Sequence, residues 1–329
     1  MENARALIAP FALHGGRLDL ARATFPNTAD WIDLSTGISP WAFPAAVDAC
    51  SLQRLPEPAA LAALEAAAAA TFGTDPVATI AVPGSDIGLR LIARLLAAKS
   101  PAVLGPGYSG HLAMWASPHR ITKITAGVHD ALVLARPNNP DGAIADCDQL
   151  AATAADLATR NGWLIVDEAF ADPDASLAAK RWPNLVVLRS FGKFFGLAGL
   201  RLGFVITPPP LASALRRLLG DWPVSGPAIT IATAAYLDRD WHAAQHDRLT
   251  NAAARLDALL TASGLAIAGG TTCFRLVETP DAPALFRHLA HHAILTRPFA
   301  DNAHRLRIGL PASPAAATRL GHALQTHRP

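Results

Sequence analysis

Between residues 79 and 207, short apolar segments alternate with segments of helical periodicity, and this alternation constrains the fold more than any other feature of the chain. Short apolar segments that are each followed by a helix-forming segment predict an α/β fold, with a mostly parallel sheet covered by helices on both faces. We predict strands at residues 79–82, 102–104, 131–135, 163–166, 185–189 and 202–207. Ligands of such sheets bind beyond the carboxyl ends of the strands, so the residues that directly follow these strands are the candidates for a functional site.

The pattern changes after residue 210, where helical periodicity dominates and few strand-like segments remain. A chain of 329 residues has room for two domains. We therefore expect a large α/β domain over residues 51–222 and a smaller α+β domain over residues 223–329. Residues 1–50 show little helical periodicity, and we expect them to form an arm with a strand near residues 31–35 and to belong in part to the small domain.

Composition excludes several classes of function. The net charge is only +2, which is not the strongly basic balance of a nucleic-acid-binding protein. Cys50, Cys147 and Cys273 lack the spacing of zinc ligands or of a disulfide framework, so we expect no metal site and a reducing compartment. No apolar stretch reaches the length of a membrane span, and the amino terminus lacks the features of a secretory signal. These features favour a cytoplasmic protein with a small-molecule ligand.

Lys193 is the one of four lysines whose sequence surroundings are not those of a solvated side chain. It lies in the segment SFGKFFGLAGLRLGF, among phenylalanine, leucine and glycine residues. A surface position is the usual interpretation of a lysine. Burial among apolar groups, however, lowers the pKa of an amine, and such an amine can form a Schiff base with an aldehyde. Ser190 and Arg201 flank Lys193 with a hydroxyl and a guanidinium, which together suit a phosphate group.

Four further segments carry polar residues after predicted strands, in the order PGSD, GPGYSG, PNNPDG and VDEAF. Together with the lysine segment, in this order and at these intervals, they resemble the fold-type I pyridoxal-phosphate enzymes, the aspartate-aminotransferase superfamily. The resemblance implies the fold of that class, in which a large domain holds pyridoxal 5′-phosphate and a smaller α+β domain accompanies it.

The resemblance assigns four residues to the ring of the cofactor. Lys193 corresponds to the lysine that forms the Schiff base, and Asp167 to the carboxylate that pairs with the pyridinium nitrogen. Tyr108 corresponds to the aromatic residue that stacks on the ring, and Asn139 to the amide that bonds the phenolic oxygen. Without the resemblance, Asp167 could equally cap a helix, Asn139 could form a turn before a proline, and Tyr108 could pack in the interior.

The resemblance also assigns four residues to the cofactor phosphate. Ser85 and Asp86 correspond to the turn whose backbone amides hold the phosphate at the start of a helix, an arrangement that suits an anion. Ser190 and Arg201 correspond to the hydroxyl and the guanidinium that complete the phosphate site.

Segments outside the cofactor motifs narrow the resemblance. HGGRLDLA, DWIDLSTGISPWAFP, RLPEP, WPVSGPA and ILTR are similar to segments of the threonine-phosphate decarboxylases of the cobalamin pathway. The resemblance covers essentially the whole chain. It implies a carboxy-lyase that converts L-threonine O-3-phosphate to (R)-1-aminopropan-2-yl phosphate for the nucleotide loop of the corrinoid.

A substrate with a carboxylate and a phosphate needs cationic groups beyond those that bind the cofactor. By resemblance, Arg307 corresponds to the arginine that binds the substrate anion in the superfamily, and Arg297 to a further arginine of the decarboxylases. His14 in the HGG segment is a third candidate, with a turn histidine as the equal alternative. For the neighbouring Arg305, a solvated strand face is the favoured interpretation.

Three positions depart from the superfamily pattern. Phe170 stands where a tyrosine commonly bonds the phenolic oxygen, and Gly192 replaces a hydroxyl residue before the lysine. Leu55 stands where a tyrosine reaches the phosphate of the neighbouring subunit, so a contribution of that subunit to the site is left open. Fold-type I sites lie at a dimer interface, and the resemblance therefore implies a homodimer.

Two alternatives share the fold. A histidinol-phosphate aminotransferase would use the same cofactor residues, because the bond held perpendicular to the ring decides between loss of carbon dioxide and transamination. A non-catalytic module on the same fold is the alternative from another class. A nicotinamide enzyme is disfavoured, because no GxGxxG segment follows an early strand.

Overall fold

The computed structural model describes residues 2–26, 30–173 and 176–327. Its helices are α1 Glu2–Leu13, α2 Leu18–Thr24, α3 Cys50–Gln53, α4 Pro58–Phe72, α5 Ser85–Leu96, α6 Ser109–Ala113, α7 Cys147–Ala158, α8 Phe191–Phe194, α9 Pro209–Leu219, α10 Gly226–Leu237, α11 Arg239–Ala262, α12 Ala282–His291 and α13 Pro314–Thr326. Its strands are β1 Ile32–Asp33, β2 Thr79–Val82, β3 Pro101–Leu104, β4 His119–Ile121, β5 Ala131–Ala135, β6 Trp163–Asp167, β7 Leu185–Ser190, β8 Gly203–Ile206, β9 Ala266–Thr271, β10 Phe274–Glu278, β11 Ile294–Leu295, β12 Arg297–Pro298 and β13 Arg305–Gly309. Short 3-10 helices cover Pro76–Ala78, Leu177–Lys180 and Ala198–Leu200. No helix in these ranges combines the length and apolar character needed to cross a membrane.

The chain divides into two compact units. The large unit comprises Ala42–Asn139 and Ala143–Ala244, and the small unit comprises Met1–Trp41, Pro140–Gly142 and Gln245–Pro329. These limits differ from the predicted domain boundaries after residues 50 and 222, because chain on the far side of each predicted boundary packs into the large unit.

Two contacts explain the wider limits of the large unit. The backbone N–H of Phe43 donates to the carbonyl of Phe195 over 2.9 Å, which places the segment after residue 41 on the large unit. In α10, Tyr236 is fully buried, and its ring centroid lies 5.6 Å from those of Phe72 and Phe204. Helix α10 is therefore part of the large-unit core, not of the predicted C-terminal domain.

A seven-stranded sheet forms the centre of the large unit, with the strand order β2-β8-β7-β6-β5-β3-β4. All neighbouring pairs from β7 to β4 are parallel, and β8 runs antiparallel to both β7 and β2. Every residue of the interior strand β5 is buried, as expected when helices cover both faces of a parallel sheet. Each strand predicted between residues 79 and 207 is present, and β4 is an additional edge strand that the sequence pattern did not predict.

Apolar faces of the helices seal the sheet. In α5, Leu89 and Ile92 are buried in one cluster with Val186 and Leu188 of β7 and with Leu215 of α9. Burial of a side chain of this size contributes about 1.5–3 kcal/mol each. The strands are held between such layers, so the residues at their carboxyl ends have fixed positions.

Glu65 is the exception in the alanine-rich helix α4, because its carboxylate is buried. Its Oε1 accepts a hydrogen bond from the backbone N–H of Ala81, on the outer edge of β2, over 3.0 Å. Its Oε2 lies 2.8 Å from the guanidinium of Arg216 in α9. One side chain thereby joins α4, β2 and α9.

The small unit contains a four-stranded antiparallel sheet with the order β12-β13-β10-β9, and β1 pairs in parallel with β11. Two helices, Glu2–Leu13 and Leu18–Thr24, lie in the segment before residue 50, although its sequence shows little helical periodicity. Pro10 lies inside the first of these helices, where a proline is unusual. Strand β9 was also not predicted, and it contains Gly269 and Gly270, which interrupt a strand pattern.

Candidate active site

The carboxyl edge of the large-unit sheet brings the predicted cofactor residues into one region. Asp167 ends β6 and Ser190 ends β7, while Asn139 and Tyr108 lie in the loops that follow β5 and β3. Strand β8 runs the other way, so its first residue, Gly203, pairs with Ser190 at the same edge. The residues before Gly203 therefore also reach this edge.

The start of α5 forms an anion-binding arrangement. Gly84 precedes the helix with φ +95°, and no side chain caps the helix there. A Cβ at Gly84 would lie 2.7 Å from Nη2 of Arg201, and one at Gly203 would lie 2.5 Å from the backbone nitrogen of Ser85. Arg201 thus extends along the turn that presents the first amides of α5, where the helix dipole favours negative charge. Ser190, half-buried, is paired with Gly203 beside this turn.

The side chain of Tyr108 is held by one contact at its hydroxyl and one at its ring. Its hydroxyl donates to Oδ1 of Asp86 over 3.1 Å, and its ring meets the ring of His111 edge-on, with centroids 5.5 Å apart. Burial raises the pKa of Tyr108 to about 12, and the charge and hydrogen bond of Asp86 act in the same direction. The half-buried ring of Tyr108 is therefore held as a neutral aromatic surface.

His111 is a candidate site residue that the sequence interpretation missed. Its Nε2 donates to Oδ2 of Asp167 over 2.9 Å, and both side chains are buried. The other carboxylate oxygen of Asp167 accepts from the backbone N–H of Ala169 over 3.0 Å. Asp167 therefore caps the turn that follows β6, where the sequence suggested a helix cap as the alternative, and it also contacts a buried imidazole. The only sequence signal for His111 was its place three residues after Tyr108.

Lys193 lies in the short helix α8, directly after β7, and is half-buried. Its Nζ lies 5.4 Å from the centroid of the Phe170 ring. Phe170 follows Asp167 by three residues. Because Asp167 ends β6 and Lys193 follows the neighbouring strand β7, the carboxylate and the amine lie at neighbouring strand ends. The phenyl group that replaces the common tyrosine at this position is thus a direct neighbour of the lysine.

Hydrogen bonds of Asn138 hold the loop that carries Asn139. The backbone N–H of Asn138 donates to the carbonyl of Ala143 over 2.8 Å, and its side-chain Nδ2 donates to the carbonyl of Pro106 over 2.9 Å. The second bond joins the loop after β5 to the loop after β3. Asn139 itself is half-buried.

A buried ionic cluster lies beside Asp167 in sequence. Glu168 is fully buried, and its Oε2 lies 3.1 Å from Nη1 of Arg189. Arg189 also pairs with Asp172 through Nη2. These carboxylates raise the pKa of Arg189 even though burial alone would lower it, so the guanidinium remains charged. The cluster fixes the chain that follows Asp167 to β7.

Two of the predicted substrate residues face each other in the small unit. Arg297 of β12 and Arg307 of β13 are partners in the antiparallel register. Arg307 is buried and donates to the carbonyl of Ser35 over 2.6 Å, and Arg297 donates to the carbonyl of Leu13 over 3.0 Å. Burial lowers the pKa of Arg307 to about 9, and the nearby charge of Arg297 adds to the decrease. Two guanidiniums this close favour an anionic ligand.

The remaining cationic candidates of the small unit are exposed or already paired. His14 is exposed on the segment that follows α1. Arg305 lies 3.2 Å from Glu278, its partner across the β10–β13 pair, which agrees with a strand-face ion pair. Within the described ranges, no group of three histidine, cysteine, aspartate or glutamate side chains is arranged to hold a metal ion.

A mixed sheet with one reversed strand, a lysine directly after β7 and an uncapped helix start at the carboxyl edge defines the large unit as that of a fold-type I protein. Solved structures agree with this class. The histidinol-phosphate aminotransferase from Sinorhizobium meliloti, in complex with pyridoxal-5'-phosphate, superposes with a TM-score of 0.80 at 22% identity and covers 93% of each chain.

Comparisons of sequence define the family more closely. Residues 109–323 match the model of aminotransferase class I and II. The threonine-phosphate decarboxylase of Pseudomonas aeruginosa is 43% identical over 94% of this chain and 96% of its own length. That of a Sinorhizobium species is 39% identical over 95% of this chain and 97% of its own length. The chain therefore belongs to the aminotransferase class I and II family, and these near full-length relatives carry the name of the decarboxylase.

Proposed function

We propose that the protein is a pyridoxal 5′-phosphate-dependent decarboxylase that converts L-threonine O-3-phosphate to (R)-1-aminopropan-2-yl phosphate in cobalamin biosynthesis. The near full-length similarity to the two threonine-phosphate decarboxylases supports the reaction type. The observation that carries the substrate class is the facing pair Arg297 and Arg307, because an amino acid with a carboxylate and a phosphate can neutralise two adjacent guanidiniums.

The large unit fits the cofactor at both ends. The turn at Gly84 has no room for a Cβ beside Arg201, and the uncapped amides of α5 begin there, as a phosphate site requires. Ser85, Asp86, Ser190 and Arg201 would hold the phosphate.

The other end of the large-unit site fits the pyridine ring. Lys193 supplies the amine that would hold the aldehyde carbon, and Asp167, supported by His111, would hold a proton at the pyridine nitrogen. Tyr108 and Asn139 would contact the ring face and the phenolic oxygen. When bound, pyridoxal 5′-phosphate supplies an electron sink for the pair of electrons that remains on the substrate Cα.

The residues of the chain then have distinct roles. Arg307 binds the substrate carboxylate and Arg297 binds the substrate phosphate, with His14 as a further group toward the anion. By holding the two anionic ends, the arginines orient the bond from Cα to the carboxylate. The amine of Lys193 would deliver a proton to Cα after the carboxylate has left. Phe170 donates no hydrogen bond to the phenolic oxygen, so Asn139 is the remaining side chain for that atom.

The test uses the purified holoprotein with L-threonine O-3-phosphate and measures carbon dioxide and the aminoalkyl phosphate. We expect both products in equal amounts without any added oxo acid, and no product from Lys193→Ala. Formation of an oxo acid that depends on an added amino acceptor, or turnover of histidinol phosphate instead, would identify an aminotransferase. Conversion of neither substrate by a protein that binds the cofactor would favour a non-catalytic module.

A matched pair of variants tests the arginine assignment. We expect Arg297→Gln to raise the KM for threonine phosphate at least tenfold, since a charge-assisted contact contributes about 1.5–3 kcal/mol. Arg305→Gln removes the same charge from a residue that is paired with Glu278, and we expect its KM to stay within about twofold of the wild type. Equal effects of the two substitutions would contradict the assignment.

We also infer a homodimer in the cytoplasm. The family resemblance supports the dimer, and Leu55, at the position of the tyrosine that reaches a neighbouring subunit, is an exposed apolar side chain. Cys50 and Cys147 are free thiols, which agrees with a reducing compartment. Light scattering after gel filtration measures the mass directly, and a monomeric mass for active holoprotein would overturn the dimer.

A further inference from the structure

Asp86 has two carboxylate oxygens with two different partners. Oδ1 accepts the hydrogen bond from the hydroxyl of Tyr108, and Oδ2 accepts one from Nε of Arg90 over 3.0 Å. Arg90 lies one helical turn after Asp86 in α5, which is the spacing at which helical side chains meet. The three side chains form a chain of contacts from the body of α5 to the ring of Tyr108.

The position of Asp86 leaves little freedom for this chain of contacts. A Cβ at Gly110 would lie 2.8 Å from Oδ1 of Asp86 and would collide with the ring of Tyr108. The carboxylate and the ring are therefore both packed against the backbone of α6. His111 on the same short helix meets the ring edge-on.

The charge of Asp86 requires an explanation in this place. It lies next to the turn of Gly84 and Arg201, where an anion would bind under the proposed function, and a bare carboxylate would repel that anion. Arg90 and the positive end of the α5 dipole offset the charge. Because repulsion between this carboxylate and a bound phosphate is unfavourable, we look for a role of Asp86 other than phosphate binding. Its carboxylate accepts a hydrogen bond from the hydroxyl of Tyr108.

We propose that the carboxylate of Asp86, braced by Arg90, is a positioning group that sets the ring of Tyr108 as the platform on which the cofactor pyridine stacks. This inference rests on the proposed function and extends it. The backbone amides of α5 bind the phosphate, whereas the side chain of Asp86 acts at the other end of the cofactor through Tyr108. Loss of the carboxylate lets the ring turn about its side-chain bonds and weakens the stacking contact.

A titration of tyrosine ionisation tests the contact in the protein without cofactor. The chain has only two tyrosines, Tyr108 and Tyr236, so a Tyr236→Phe background leaves a single reporter. The raised pKa of Tyr108 should fall toward the ordinary value of about 10 in Asp86→Asn, because a charge and a charged acceptor are removed. We expect the tyrosinate absorbance of Asp86→Asn to rise at a lower pH than that of its parent, although burial, the larger cause, keeps the pKa of Tyr108 above 10 in both proteins. Identical titrations of variant and parent would overturn the contact.

Cofactor affinity then tests the positioning role. We expect Asp86→Asn and Tyr108→Phe each to raise the Kd for pyridoxal 5′-phosphate about tenfold, and the double variant to be no weaker than either single variant. Additive losses would overturn the proposal, because Asp86 would then act through the helix dipole or the phosphate site and not through Tyr108.

Arg90 and Arg94 provide a matched control on the same helix. Both are exposed arginines of α5, but only Arg90 contacts Asp86 among the ion pairs of the described chain. We expect Arg90→Gln to weaken cofactor binding about threefold and Arg94→Gln to leave it unchanged. Equal effects would contradict the bracing role. A wild-type protein that binds no cofactor would overturn the proposed function itself. A wild-type protein that binds the cofactor, with the same affinity in Asp86→Asn, would overturn only the present inference.

Discussion

The hydroxyl of Tyr236 is buried among aromatic rings and has no hydrogen-bond partner within the described ranges. The rings of Phe72, Phe191 and Phe204 lie with their centroids 5.6 Å from that of Tyr236. Burial raises the pKa of Tyr236 well above its ordinary value, so the group stays neutral. A desolvated hydroxyl without a partner costs free energy that a phenyl group does not.

Tyr236→Phe should therefore leave the free energy of unfolding unchanged or raise it by about 1 kcal/mol. Urea unfolding followed by circular dichroism measures the change. Tyr108→Phe is the control at the other tyrosine, because it removes a hydroxyl that is bonded to Asp86. A loss of more than about 1 kcal/mol in Tyr236→Phe would show that its hydroxyl has a partner.

His111→Phe should lower stability by about 2–3 kcal/mol, because it leaves the buried carboxylate of Asp167 without its imidazole donor. His111→Gln, which keeps a donor, should lose less. His119→Phe, on the exposed edge strand β4, is the control and should stay within about 0.5 kcal/mol of the wild type. If urea unfolding gave His111→Phe and His119→Phe the same free energy of unfolding, the contact between His111 and Asp167 would not contribute to stability.

At the scale of elements, one buried carboxylate adds polar contacts to the attachment of α4, beside the buried side chains of Leu64 and Phe72. Most of its other side chains are alanine, which bury little area, whereas Glu65 bonds both the outer edge of β2 and Arg216 of α9. A charge this deeply buried stabilises only as long as both contacts remain, since loss of one partner leaves the other desolvated.

Glu65→Ala should thus destabilise the large unit by about 3 kcal/mol, because the N–H of Ala81 and the guanidinium of Arg216 lose their acceptor together. Glu65→Gln retains an acceptor for Ala81 and should lose less than half as much. The exposed Glu57, which precedes the same helix, provides Glu57→Ala as the control. Chemical denaturation of the three variants measures the order, and equal values for Glu65→Ala and Glu57→Ala would refute the argument.

At the scale of the whole molecule, stability depends on pH through histidines in both units. Burial lowers the pKa of His242 in the large unit. Burial and neighbouring histidines lower the pKa of His292 and His327 in the small unit, where the rings of His288 and His292 lie with centroids 4.8 Å apart. The folded protein therefore binds fewer protons at these groups than the unfolded chain does.

The free energy of unfolding should consequently be highest above about pH 6.5 and should fall as the pH decreases toward 5. The sign follows from the lowered pKa values, because protonation favours the unfolded chain throughout that interval. His292→Gln should flatten the dependence while leaving stability near pH 8 almost unchanged. Urea unfolding at a series of pH values measures both, and a wild-type stability that is constant from pH 7 to 5 would contradict the prediction.

The sequence was most informative where a single physical rule applies. Parallel strands place their carboxyl ends at one edge, so the positions of Asp167 and Ser190 could be predicted from apolar segments followed by polar residues. His111 could not, because a single histidine on a five-residue helix has no periodicity to reveal its contact with Asp167. The facing of Arg297 and Arg307 depends on strand register, and β12 is too short to give a pattern.

The same limits explain the errors in the fold. Residues 1–50 show little helical periodicity, yet α1 forms and includes Pro10, since a proline interrupts a helical pattern without always ending the helix. The predicted boundary at residue 222 followed a change in composition, but burial of Tyr236 assigns α10 to the large unit. Such assignments depend on tertiary packing, which local sequence does not encode.

The sheet of the large unit has two edge strands, β2 and β4, and both carry features that disfavour the addition of another strand. At β2 the outward amide of Ala81 is already bonded to Glu65, and at β4 the exposed residues His119 and Arg120 place polar, partly charged groups on a three-residue strand. Unpaired sheet edges are the usual templates for fibril growth. Strand addition to the native sheet is therefore disfavoured at both edges, and we expect amyloid-like assembly to begin from a segment that unfolding exposes.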